Sequence, residues 1–299
     1  MSGLLASIKR NCKVYFKDKA MFFSSLITPI ILLVLYVFFL AKVFKDNFNK
    51  SLEGVVCSDK LINGMVAGQL CSSLLAVCCI TVAFCSNMLM VQDKVTGARA
   101  DLAITPAKRS VHALGYYIST LVTTIIVCGV AACCSLIYIA CSGWYLSVGD
   151  VFLLLSDVVL LSMFGTALSS VINFFLSSQG QMSAVGTAVS AGYGFICGAY
   201  MPISFFGKAL QNIVGFLPGT YGTSLVRYHS MAGTLREMSA MGWDSSVIES
   251  IKDSVDINLY LFGNKVEVWG SYLVLVLSIV ALVGVYVLLN KFVGKKRKK

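Results

Sequence analysis

Apolar positions in this chain neither alternate with polar ones nor keep to one helical face. They run on for about twenty residues or more, break at short polar stretches, and resume. Runs long enough to cross about 30 Å of hydrocarbon, roughly twenty residues each, lie at 22–41, 63–91, 111–141, 151–176, 182–201 and 268–290. A transmembrane barrel would alternate over segments of roughly ten residues, and these runs do not. The pattern predicts an all-α integral membrane protein of six transmembrane helices. No polar stretch is large enough for a separate water-soluble core, so residues 1–299 read as one membrane domain.

Two segments carry apolar residues without spanning. On a helix at about 100° per residue, Leu4, Leu5, Ile8, Cys12, Tyr15 and Phe16 share one arc, and Lys9, Arg10, Lys13 and Lys17 occupy the next. Residues 1–21 are therefore expected to form an amphipathic interfacial helix, serving as an anchor or as a docking element. The stretch from Ile203 to Leu217 is apolar but is cut below spanning length by Pro202, Gly207, Gly215 and the Pro218-Gly219 pair. It is expected to be a re-entrant or interfacial hairpin over 202–227, with freed backbone groups facing protein or a watery vestibule.

Composition agrees with the pattern: 57% of residues are hydrophobic and 13% charged, with a mean hydropathy of +0.81. Soluble domains carry about a quarter charged residues. The first run is too long for a cleavable signal and lacks a small-x-small site, so it is expected to be retained.

Charge sets the expected orientation. Residues 1–21 carry five basic side chains (Lys9, Arg10, Lys13, Lys17, Lys19), 92–110 four (Lys94, Arg99, Lys108, Arg109) and 291–299 six. The other side carries nine, offset by nine acids that include Asp46, Glu53, Asp244, Asp256 and Glu267. Positive residues near span ends stay cytoplasmic, so both termini are expected inside and 228–267 becomes an extracellular loop. The basic tail at 291–299 reads as an anchor on anionic membrane lipid, with no nucleic acid as partner. With only two histidines, His112 and His229, and no Cys-x-x-Cys among eleven cysteines, no metal site is expected.

Four features go beyond spanning. The break QDKVTGARADLAITPAKRS, 92–110, reads as helix, turn, helix, with Gly97 ending one helix and Pro106 interrupting the next. Gly186, Ser190, Gly194 and Gly198 repeat every four residues in the fifth run, a ridge for close helix packing against a neighbour within the subunit or at a dimer seam. Gly64 and Gly68 make a shorter version in the second run. Asp157 is the one ionisable side chain well inside a run. A structural hydrogen bond or a shallow vestibule would satisfy it, and a place on a transport path is the alternative. In the outer loop, Ser246 and Glu249 have capping-box spacing, and Ile248, Ile251, Val255 and Leu259 share a face ended by Gly263-Asn264.

The loop's Asp93, Gly97, Leu102 and Pro106, followed by GAYMPISF, LPGTYG and Arg227, resemble the type-2 permeases of ATP-binding-cassette exporters. The resemblance covers 1–227 and resumes at Trp269; the stretch 228–268 is longer than the family's connection. It implies a permease that pairs with a second permease subunit, as a homo- or heterodimer, and is driven through 92–110 by cytoplasmic ATPase subunits. The chain itself contains no G-x-x-x-x-G-K-[ST] phosphate loop, so ATP and Mg are expected on that partner, and the chain is expected not to be an enzyme. The implied cargo is a hydrophobic or amphipathic compound, a drug, antibiotic, peptide or lipid-linked molecule, exported across a bacterial cell membrane. Pro202, Phe205, Phe206, Phe216 and Pro218 are the candidates for an outer gate, the phenylalanines either plugging the path or packing against neighbouring spans. An ion-coupled carrier or channel, and a membrane scaffold without transport, remain the alternatives.

Overall fold

A computed structural model describes residues 2–51, 58–105 and 109–296 as a helical bundle. In chain order the helices are α1 (Ser2–Lys17), α2 (Lys19–Leu35), a π-helical turn (Tyr36–Leu40), α3 (Ala41–Ser51), α4 (Asp59–Val95), α5 (Ala98–Ile104) and α6 (Arg109–Gly143). They continue as α7 (Val148–Phe175), α8 (Gln179–Ile196), α9 (Lys208–Gly215), α10 (Pro218–Ala240), α11 (Ser245–Ser254) and α12 (Val268–Lys296). Among the described residues the strands are two short pieces, β1 (Leu259–Leu261) and β2 (Asn264–Val266), paired antiparallel with Leu259 opposite Val266.

Among the described residues, five helical stretches are long and apolar enough to cross a membrane: Lys19–Asp46, Asp59–Val95, Ser110–Gly143, Val148–Phe175 and Val268–Phe292. They correspond to five of the six expected runs. The remaining run, 182–201, is α8, and it is not among them. This helix begins with Gln179 and Gln181 and ends at Ile196, because Gly198 turns the chain at φ +70 and the buried Pro202 follows. Glycine alone adopts that left-handed conformation at little cost.

The first turns of α4 and α7 mark one end of the bundle. The other end holds α1, α5, the start of α6 and the last turns of α12, and is called here the basic end.

The centre of the bundle is α4, buried all round for most of its 37 residues, as an apolar helix inside a bundle should be. Between apolar helices in lipid, burial supplies little net drive, so close approach and interhelical hydrogen bonds decide the packing. Both are present. A Cβ added at Gly68 would lie 2.9 Å from the Ser230 carbonyl oxygen of α10, and one at Gly165 of α7 would lie 2.8 Å from the Cys79 oxygen of α4. Asn87 donates to Ser169 and Ser170 at 3.0 Å each, and Ser230 donates to the Gly68 oxygen at 3.0 Å.

Where an outer loop was expected to start at 228, the chain continues as α10 to Ala240. Pro218 begins this helix at its first position rather than interrupting one, which suits a residue without an N–H. The helix escapes a hydropathy reading because its buried side chains include Thr220, Thr223, Ser224, Arg227, His229, Ser230 and Thr234. Its first turns meet the middle of α7, where Gly222 faces Leu161. Its last turns meet the start of α7, where Arg236 donates to Asp150 at 2.5 Å.

Further on, α11 is capped by Asp244, which accepts from the Ser246 N–H at 3.0 Å, two residues ahead of the cap expected at Ser246. Ile248, Ile251 and Val255 are buried as one face, while Leu259 belongs to β1.

The amphipathic helix α1 also packs differently from its expected arc. Ser7, Asn11 and Tyr15 form its buried line, and Leu5 and Phe16 stay exposed. The reason is the surface of α6: Gly115 leaves room for Ser7, and the Cys12 thiol reaches the Ser119 oxygen.

Candidate functional site

A cleft of about 790 Å³ lies between α2, α4 and α8. Its mouth at the basic end is ringed by Asp18, Gln92 and Gln179, and Leu32, Ser190 and Tyr200 line its inner part. Asp18 is held there by its capping role, accepting from the Met21 N–H at 3.0 Å. Small residues open the wall contributed by α8: Gly186, Thr187, Ser190 and Ala191 all face the space. A few polar groups at the rim of a largely apolar cavity can orient the polar end of an amphipathic ligand while its body desolvates.

The expected glycine ridge therefore divides. Gly186 and Ser190 line the cleft, with Met88 pressed on Gly186, whereas Gly194 accommodates the Tyr200 ring. Gly198 faces the Asp256 carboxylate. Backbone presses on glycine instead around α4 and α10, at Gly64, Gly68, Gly143, Gly165 and Gly233.

Beside the mouth stands the 92–110 connection. Gly97 takes φ +83 and starts α5, and Pro106 lies outside the described residues. Asp93 is buried: Arg10 of α1 grips both its oxygens, with the Nη2 bond at 2.9 Å, and the Tyr116 hydroxyl donates at 2.5 Å. Asp93 thus ties α1 and α6 to the end of α4. Lys94 points the other way and donates to the oxygens of Asn173, Phe174 and Leu176 at 2.7–2.9 Å, so its charge caps the C-terminus of α7. Leu102 is half-buried and packs with the cluster around Leu89, Met90 and Tyr116. Among the described residues of this connection, the large apolar side chains exposed are Ile104, at 84%, and Val95, at 46%. Arg99 hydrogen-bonds Asn290 of α12 at 3.3 Å.

Toward the other end, two buried polar clusters fix α10. Asp157 lines neither this cleft nor the apolar groove described below. His229 Nδ1 lies 2.5 Å from one of its oxygens, and the Tyr272 hydroxyl donates to the other at 2.6 Å. Arg227 and Asp256 form a second, almost fully buried pair at 3.4 Å. Arg227 also donates to the Gly198 oxygen at 2.9 Å, and Asp256 accepts from the N–H groups of Ile203 and Ser204. Burial pushes the Asp256 carboxyl upward, against the opposing pull of Arg227 and those N–H groups. Together they pin the turn at 198–204 to α10.

Of the residues expected in an outer gate, Pro202 is buried, Phe206 is partly covered, and Phe205 and Phe216 are exposed at 67% and 62%. The Phe216 ring stacks edge-on against Phe262 of the β1–β2 turn. Sequence reasoning missed the roles of Ile104, Lys94, His229, Tyr272 and Asp256. Lys94, His229 and Asp256 were visible only as a base in the connection, one of two histidines and one more acid in an acidic stretch, because pairing across helices leaves no local pattern.

None of the curated proteins matches the chain. The sequence profile of the ABC-2 type transporter family matches residues 2–230. With that match over most of its length and a bundle of membrane-spanning helices, the chain belongs to the ABC-2 type transporter family, as the transmembrane component of an ABC transporter.

Proposed function

We propose that this protein is the permease subunit of an ATP-driven exporter in a bacterial cytoplasmic membrane. A hydrophobic or amphipathic compound, such as a drug, antibiotic, peptide or lipid-linked molecule, enters the cleft between α2, α4 and α8 from the cytoplasmic side, which is the basic end. That cleft carries the reading, since its polar mouth and apolar depth suit an amphiphile. The positive-inside rule supports the orientation.

ATP and Mg are bound by a separate cytoplasmic ATPase, which seats the 92–110 connection with Ile104 as its apolar contact. Leu102 and Arg99 join α5 to the core and to α12, so a push on Ile104 reaches the bundle as a rigid shift. The wall formed by α2 is the part suited to yield, because Pro29 removes a helix hydrogen bond and a π-helical turn follows at Tyr36–Leu40. A second permease subunit docks on the outward face of α8, where Ala184 and Ala188 are exposed, line no part of the cleft and permit close approach. On the extracellular side, the 202–217 segment dips into the outer leaflet ahead of α10, and Phe205 and Phe216 complete the gate across the dimer.

The test is reconstitution in vesicles with the partner ATPase. Amphiphiles should stimulate ATP hydrolysis, and Ile104→Asp should leave insertion intact while abolishing the stimulation. Undiminished stimulation and export in that variant would refute the coupling role.

A further inference from the structure

On the face of α2 opposite the cleft lies a second cavity of about 750 Å³, a groove walled by α2, α4 and α6. Phe16 and Phe22 mark its end nearer the basic end, Leu74 and Cys78 its floor, and Ile137 and Cys141 its far end. The lining is almost wholly apolar. It opens sideways between α2 and α6, whose neighbouring outward residues Ile30, Leu33, Val130 and Ile137 are exposed. In a bilayer that opening faces acyl chains.

Length selects the occupant. The lining residues of α6 run from Ile126 to Cys141, about 22 Å at roughly 1.5 Å per residue. One leaflet of hydrocarbon is about 15 Å deep, half of about 30 Å, so the groove takes a whole extended chain. Charge selects the headgroup. Lys13 and Lys19 each precede a rim phenylalanine by three residues, which on a helix places them beside Phe16 and Phe22, and Lys17 follows Lys13 by four residues in α1 and so lies next to it. All three lysines are exposed, and among the described residues none is in an ion pair. The nearest acid along the chain, Asp18, lines the cleft on the other side of α2.

We infer that this groove is a binding site for one anionic phospholipid, its acyl chain along α6 and its phosphate on Lys13, Lys17 and Lys19. The site is separate from the cleft and does not depend on the cleft being a transport path. A lipid held there props α2 from outside and sets the resting width of the cleft wall.

The full chain, stripped of lipid in mild detergent, is titrated with phosphatidylglycerol or phosphatidylcholine of identical chains, and bound lipids are counted by native mass spectrometry. The expected result is one phosphatidylglycerol per chain, preferred over phosphatidylcholine by at least about fivefold, the effect of one lysine near a phosphate. Replacing Lys13, Lys17 and Lys19 by Gln should bring the preference below about twofold while leaving phosphatidylcholine binding unchanged. Val130→Trp with Cys134→Trp, both at exposed positions, should remove retention of either lipid without changing elution. Equal retention of the two lipids by the unaltered chain, or a lipid that survives the tryptophan pair, would overturn the proposal. So would a Cys134–Cys134 disulfide between two copies formed on mild oxidation in membranes, since a second subunit would then cover the groove.

Discussion

Arg227 and Asp256 are the pair whose disruption says most about how the outer half of this bundle is held. Arg227 side-chain exposure is 1% and that of Asp256 is 5%. Removing one partner of so buried a pair strands the other charge, at a cost of about 3–5 kcal/mol. Arg227→Met leaves Asp256 with the Ile203 and Ser204 N–H groups, at 2.8 and 3.4 Å, as its remaining donors. Asp256→Asn leaves a buried guanidinium with the Gly198 carbonyl at 2.9 Å and the Ser73 hydroxyl at 3.4 Å. Each single change should therefore cost about 3 kcal/mol or more. The double change strands no charge, so it should cost clearly less than the sum, with a coupling of at least about 1.5 kcal/mol for contacting residues. Unfolding midpoints of the four proteins in one detergent give the cycle. Single costs that simply add, within about 0.5 kcal/mol, would show that the two side chains do not act as a pair and would refute the reasoning.

Other expectations follow from close contacts and charges elsewhere. A Cβ at Gly233 would fall 2.2 Å from the Tyr145 carbonyl oxygen, so Gly233→Ala should cost about 1–3 kcal/mol. Gly129→Ala, with nothing within 4 Å, should instead stabilise α6 by up to about 1 kcal/mol; thermal unfolding separates them. Lys94→Met removes three charged hydrogen bonds to the end of α7 and should raise hydrogen exchange over 174–179. Lys265 and Lys252 hold the Glu249 carboxyl below its usual 4.5, so its contribution is full above that value and is lost as pH falls through the lowered one. Exchange over 245–266, corrected for intrinsic rates, should rise on acidification in the unaltered chain and lose that step in Glu249→Gln.

Much of the membrane architecture was legible because a span of about twenty apolar residues is itself the signal. Asp59–Val95 and Val268–Phe292 needed nothing more. The same logic failed where polarity was internal. Across α10, Arg227 and Ser230 donate to the backbone oxygens of Gly198 and Gly68, and His229 meets Asp157 of α7, so a buried helix carries the composition of a loop. Nor could the pattern tell Leu102 from Ile104, two residues apart in α5, because one short helix gives no clue to which side rests on the bundle. The Gly64 and Gly68 pair, read as the lesser ridge, is the one that meets backbone, since α4 and not α8 is the central helix. Asp93 was legible as a marked position in the connection, but its grip on Arg10 and Tyr116 joins three helices and has no spacing to betray it.

The central claim is that the cleft between α2, α4 and α8 opens to the cytoplasm and is worked by ATP on a partner subunit. Ser190 lines that cleft, and Ser190→Cys, in a chain otherwise free of reactive cysteines, reports on it directly. With the partner ATPase present in oriented vesicles, a membrane-impermeant thiol reagent should label residue 190 from the cytoplasmic side without nucleotide and lose access when ATP and vanadate trap the ATPase closed. Labelling from the opposite side in the resting state, or identical labelling in both nucleotide states, would contradict the account.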